Sequence, residues 1–138
     1  MARLDDWQTL LAEELSKPRS FSWGKNDCCL FAGDIVQTIT GIDPAVTFRG
    51  KYDTALGAIK EIKRQGYEGV IDIANKTLGA HGWEQVPIML AQRGDVVCAD
   101  IEDQKSIGVM TDSCAVFVGK NGYVYLEREF LLKAWGVR

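Results

Sequence analysis

Near residue 90 the spacing of apolar residues changes from helical to alternating, and nothing else in the chain limits the possible folds as much. Upstream, Trp7, Leu10, Leu11 and Leu15 recur at helical spacing behind Asp5 and Asp6, and Pro18 ends the run. Leu30, Phe31, Ile35, Val36 and Ile39 form one face of a second helix, with Gly41 placed to stop it. Thr54 is placed to cap a third helix carrying Ala55, Ala58, Ile59 and Ile62, ended by Gly66, and residues 70–78 make a weaker fourth. Downstream, residues 95–101, 107–110, 114–118 and 123–126 alternate as strands. Asn121-Gly122 supplies a hairpin signal, and residues 133–137 add an edge strand. Helices followed by a run of antiparallel strands imply an α+β fold. Three or four N-terminal helices should pack on one side of an antiparallel sheet built from residues 95–137.

The 138 residues suit one domain, 1–138, long enough to build a core without covalent staples, and no repeat or Pro/Gly/Ser linker divides them. Sixteen basic against nineteen acidic residues leave a net charge of −3, which argues against a nucleic-acid partner held by electrostatics. The apolar stretches are too short to span a membrane, and residues 1–20 open with charges rather than an apolar signal core. A soluble chain made in the cytoplasm is therefore expected. Four cysteines, Cys28, Cys29, Cys98 and Cys114, show neither a disulfide framework nor the paired C-x-x-C spacing of a zinc or iron–sulfur site. Three buried thiols and at most one reactive thiol are expected, with no cofactor and no metal. No Gly-x-Gly-x-x-Gly or P-loop follows a strand, so Gly24, Gly50 and Gly94 form no phosphate cradle.

Most of the chemistry lies in Phe21-Ser-Trp-Gly-Lys-Asn-Asp-Cys-Cys-Leu-Phe. A polar, glycine-containing turn delivers Cys28 to the first turn of an apolar helix. Unpaired N–H groups and the helix dipole favour the thiolate there, and the thiolate is the reactive form. Two small cysteines packed under a helix start would give the same sequence, because free cysteines are commonly just buried.

The aromatic-x-Trp-Gly, polar spacer, Asp-Cys and apolar helix resemble the active-site segment of the NlpC-type papain-like cell-wall peptidases. Arg93-Gly94-Asp95-Val96-Val97 resembles that family's strand opener, and Ser106-Ile107-Gly108-Val109 its histidine-bearing strand. The whole chain more closely resembles a small family of phage and prophage proteins. These combine Trp-Gly-x-x-Asp-Cys with a stretch like Phe48-Arg49-Gly50-Lys51-Tyr52 and a C-terminal pair like Ala134-Trp135. The resemblance implies a papain-like fold, a single NlpC-like domain, Cys28 as the actual or vestigial nucleophile, and genes beside those of tail-hub proteins. It also implies other tail proteins as partners, peptidoglycan peptides as the substrate class of any active form, and a place in the virion tail tip.

The departure from the peptidase pattern falls on the base. Ser106 stands where the peptidases carry histidine, and a serine hydroxyl cannot accept a proton at neutral pH. Cys29 stands where the motif usually has serine. The one histidine of the chain, His81, lies in a glycine-flanked loop and is a poor candidate base; a solvated surface residue is the plainer reading. Asp95, Asp100 and Asp112 are weaker candidates, expected to be solvated strand ends or turn residues. Trp23 and Trp83 could line a groove but more commonly belong to a core. Arg49 is placed to anchor a loop to a carboxylate such as Asp43 or Asp27. Glu13, Glu14, Glu61 and Glu68 read as solvated helix faces.

Three functions follow from these residues. The first is a structural tail-tip or baseplate protein with an inactive papain-like fold. The second is an active cysteine hydrolase cutting peptidoglycan peptides through Cys28 with His81 or another, unforeseen base. The third, and weakest, is an intracellular thiol or metal module using the four cysteines.

Overall fold

The computed structural model describes residues 3–138. Its helices are α1 (Trp7–Ser16), α2 (Cys28–Thr40), α3 (Ala55–Arg64) and α4 (Val70–Gly79). Its strands are β1 (Val96–Ile101), β2 (Gln104–Met110), β3 (Cys114–Gly119), β4 (Gly122–Glu127) and β5 (Lys133–Trp135). The sheet is antiparallel, in the order β4-β3-β2-β1-β5. The class is α+β, as the change of period predicts.

Helix boundaries follow local chemistry. Asp27 caps α2 by accepting the Leu30 N–H at 3.1 Å, and Gly41 ends it at φ +83°, its own N–H bonded to the Gln37 carbonyl. Thr54 caps α3 by accepting the Gly57 N–H at 3.0 Å. Leu30, Phe31, Ile35, Val36 and Ile39 of α2 are all buried, each worth roughly 1.5–3 kcal/mol relative to exposure.

The alternation along the strands separates two apolar faces. Val96, Cys98 and Ile107 meet Ala32 and Val36 of α2 with Trp83 and Trp135. On the same side, Val109, Val116 and Val118 pack on Phe31, Ile35 and Leu11. Val97, Ala99, Met110, Ala115 and Phe117 face the other way and are covered by Ala91, Leu131, Val86 and Ile88. The helices thus lie on one side, and irregular segments seal the other.

Two sequence expectations are corrected here, and one turn is found that the sequence did not mark. The β3–β4 hairpin pairs Gly119 with Gly122, so its apex is Lys120-Asn121 and Gly122 takes φ +119° within the strand. The β1–β2 turn is made by Glu102 and Asp103 at φ +52° and +64°, a conformation that usually selects Asn or Gly and that no sequence signal marked. Asp95 is fully buried rather than solvated. Its carboxylate accepts from Arg3 and Arg138, each at 2.9 Å, and from the backbone N–H groups of Val137 at 3.0 Å and Gln92 at 2.8 Å. With every lone-pair direction engaged, it is a structural anchor rather than a base.

Candidate functional site

β2 pairs with β1 over its full length but with β3 only at Val109–Val116 and Met110–Ala115. Gln104 to Gly108 therefore lack a β3 partner, and the start of α2 fills that notch. Phe21 approaches from the far side, its N–H donating to the Gly119 carbonyl at 2.9 Å. Ser22 and Asn26 form an isolated antiparallel bridge that tightens the loop before Cys28.

The turn is built against the Phe48–Tyr52 stretch. Gly24 sits at φ +80°, and a Cβ there would lie 1.9 Å from the Tyr52 carbonyl oxygen, so only glycine allows the two backbones to meet. The Tyr52 hydroxyl donates to Asp27 Oδ2 at 2.5 Å, and the Gly24 N–H donates to the same oxygen at 3.1 Å. Asp27, 2% exposed, thus holds the turn, the helix start and Tyr52 through one carboxylate. Burial raises the Tyr52 phenol pKa well above its ordinary value, and the bond to Asp27 adds to that rise. Arg49 grips Asp43 through Nε at 2.6 Å and Asp34 of α2 through Nη2 at 2.7 Å. Asp43 was one of its expected partners, and Asp34 joins it in place of Asp27. Arg19 continues the chain of charges to Asp34 and Glu14, so Glu14 is an ion-pair partner rather than a freely solvated charge.

Cys28 is the first residue of α2, half-buried, and packs on the cluster containing Cys98 and Ile107. Its thiol pKa is lowered, first by the neighbouring Cys29 thiol and further by the Ile107 backbone and the Ser106 hydroxyl. Burial and the Asp27 charge act in the opposite direction. Cys29 is the other half of this pair. Its hydrogen bond to Cys28 and its burial hold its pKa well above the ordinary value, so of the two thiols Cys28 is the one that ionises more readily. Cys29 packs on Leu30, Phe48 and Ile73 and lines an apolar recess of about 30 Å³ between α2 and α4. That volume is about the size of one water, and the lining is almost wholly apolar. Burial pushes the Cys98 thiol up to about 11.

Of the candidate residues, the structure brings Ser106 to Cys28. His81 lies in the turn after α4, half-buried rather than solvated, its ring against Trp83 with centroids 5.0 Å apart. Trp83 is buried in the cluster on which Cys28 packs, and Trp23 meets Phe21 edge-on at 4.7 Å. Asp100 and Asp112 are exposed and pair with Lys105 and Arg93. Only Cys98 of the four free thiols is fully buried, where three buried thiols were expected. Among the described residues, no group of three or more His, Cys, Asp or Glu could hold a metal ion. No helix among them is long and apolar enough to cross a membrane.

The model of a family described as a domain of unknown function (DUF6950) matches residues 2–137, and the chain belongs to that family. No curated protein and no solved structure matches it.

Proposed function

We propose that this member of the DUF6950 family is a papain-like, NlpC-type domain that keeps the nucleophile's scaffold without its base, and that it serves as a structural component of a phage tail tip. The observation that carries the inactivity is the group facing Cys28 from β2: a serine hydroxyl, Ser106, stands where a peptidase needs an imidazole. Thiolate formation alone is supported by the helix N-terminus, worth roughly 0.3–1 kcal/mol, and by the Cys29 S–H. Backbone N–H groups at the helix start supply an oxyanion site independently of side chains. The missing step is protonation of the departing amine, to which a positioned acid contributes roughly 100- to 10,000-fold. Ser106 cannot supply that proton. Cys29, whose pKa is raised, holds its own too tightly to serve.

The tail-tip role rests on the resemblance of the Trp23–Cys28, Phe48–Tyr52 and Ala134–Trp135 stretches to phage and prophage proteins. In this reading the partners are hub and tail-tip subunits, and the protein is made in the host cytoplasm and carried in the virion. The mutual docking of the first two stretches through Asp27 and Tyr52 supports treating them as one structural unit. The second reading, an active peptidoglycan hydrolase, draws on the lowered pKa of Cys28.

One experiment separates the two. Purified protein is incubated with peptidoglycan and muropeptides beside Cys28→Ala and His81→Ala variants, then mixed with tail-hub proteins. No cleavage by any of the three, with hub proteins co-purifying, is the expected result. Cleavage by the wild type that both variants abolish would restore the peptidase.

A further inference from the structure

The two edges of the sheet are treated differently. β5 is covered by residues 84–86, from the segment between α4 and β1: the Val86 N–H donates to the Ala134 carbonyl, the Gly136 N–H donates to the Glu84 carbonyl, and Gln85 bridges Trp135. β4, Gly-Tyr-Val-Tyr-Leu-Glu, takes no backbone hydrogen bond from a described residue on that side; only residues 17–20 lie against its first two residues, where the Tyr123 hydroxyl donates to the Lys17 carbonyl at 2.8 Å. In a two-residue hairpin the closing pair, here Gly119–Gly122, exchanges its backbone bonds. Gly122, Val124 and Leu126 therefore aim theirs at β3, while Tyr123, Tyr125 and Glu127 aim theirs outward. The usual protections of a free edge are lacking: β4 carries no proline, no lysine and no bulge in its register. Tyr125, at its centre, is 62% exposed.

We infer that β4 is the contact through which two copies of this chain pair, antiparallel and about a twofold axis at Tyr125. The strand's own sequence selects a second copy as the occupant. With Tyr125 opposite Tyr125, Tyr123 falls opposite Glu127 of the other copy, and these outward-bonding residues become hydrogen-bonded pairs. On the opposite face, Val124 falls opposite Leu126. Both already pack on the Met110–Phe117 cluster, so the apolar face continues across the join. On the helix-bearing face, aromatic meets aromatic at the axis, and no charge faces a like charge: Glu127 meets a tyrosine. The two sheets become one continuous sheet, and both edges are then closed.

The test is solution mass by sedimentation equilibrium across a wide concentration range, with circular dichroism reporting the fold of each variant. Wild type should be a concentration-dependent dimer, and Tyr125→Phe should remain one. Tyr125→Lys and Tyr125→Glu each place like charges at the axis and should weaken the dimer on the order of a hundredfold. Mixing those two variants should restore dimers of one lysine and one glutamate chain, because the register puts position 125 opposite itself. A wild type that is monomeric throughout overturns the inference. So does a dimer that survives both charged variants, as one formed through the exposed Met89, Leu90 and Phe130 would. Failure of the mixture to associate also overturns it.

Discussion

Replacing Ser106 with histidine places an imidazole at the β2 position whose side chain bonds the Cys28 thiol. Its effect can be sized from the contact it would make. An imidazolium and a thiolate about 4 Å apart, in an effective dielectric of about 20, attract by about 4 kcal/mol. At about 1.4 kcal/mol per power of ten, that shifts the balance about a thousandfold toward the ion pair, enough to overcome the roughly hundredfold preference for the uncharged pair set by free pKa values of about 8.5 and 6.5. The Asp27 charge, which raises the Cys28 pKa in the wild type, favours the imidazolium as well, so it does not cancel the gain. The assay is the rate of Cys28 alkylation by iodoacetamide as a function of pH, with modification located by mass spectrometry. The Ser106→His profile should move to distinctly lower pH than the wild type's. The variant should also gain muropeptide cleavage, because the imidazolium can protonate the leaving amine. A folded Ser106→His protein whose alkylation profile coincides with the wild type's would refute the placement of Ser106 as the base position.

Four further outcomes follow from the same geometry. Gly24→Ala should cost about 2–5 kcal/mol in urea unfolding, from positive-φ strain and the clash with the Tyr52 carbonyl, and a loss under about 1 kcal/mol would contradict that contact. Tyr52→Phe should cost about 1.5–3 kcal/mol by the same measurement, because the Asp27 carboxylate loses a charged hydrogen bond; an unchanged unfolding midpoint would count against it. Asp27→Asn keeps an N-cap but removes a negative charge that raises the Cys28 pKa, so the alkylation profile should shift to lower pH; a shift upward would mean that Asp27 supports the thiolate instead. Asp95→Ala leaves Arg3 and Arg138 without their shared carboxylate and should cost about 3–5 kcal/mol, read as a lowered thermal midpoint; an unchanged midpoint would mean that the ion pairs are idle.

Local rules reached most of the fold. The helix faces, the Thr54 cap, the Gly41 stop and the five strands all follow from spacing and single residues, because each depends on neighbours within a few positions. The placement of Cys28 at the start of α2 was legible for the same reason. What escaped the sequence depends on residues far apart in the chain. Asp95 looked like a strand-end carboxylate, and only the approach of Arg3 and Arg138 from either end of the described chain makes it a buried anchor. Tyr52 gave no sign of its bond to Asp27, 25 positions away. Arg49 signalled a carboxylate partner but not Asp34, which requires the loop to lie along α2 at Gly33. The turn at Glu102-Asp103 was invisible because glutamate is an uncommon occupant of positive φ and no glycine marks the pair. The resemblance already singled out Cys28 over Cys29; what stayed hidden was the Ile107 backbone acting on its thiol, a contact set by residues almost eighty positions away.

The most direct test of the central claim, a nucleophile's site with no base, is the pH profile of Cys28 alkylation in wild type and in His81→Ala. The account predicts a single ionisation step in the wild type and a superimposable profile in the variant, because Cys29, Ile107 and Ser106 set the thiol and His81 takes no part. A second step in the ordinary histidine range that disappears in His81→Ala would contradict it and place an imidazole in the working site.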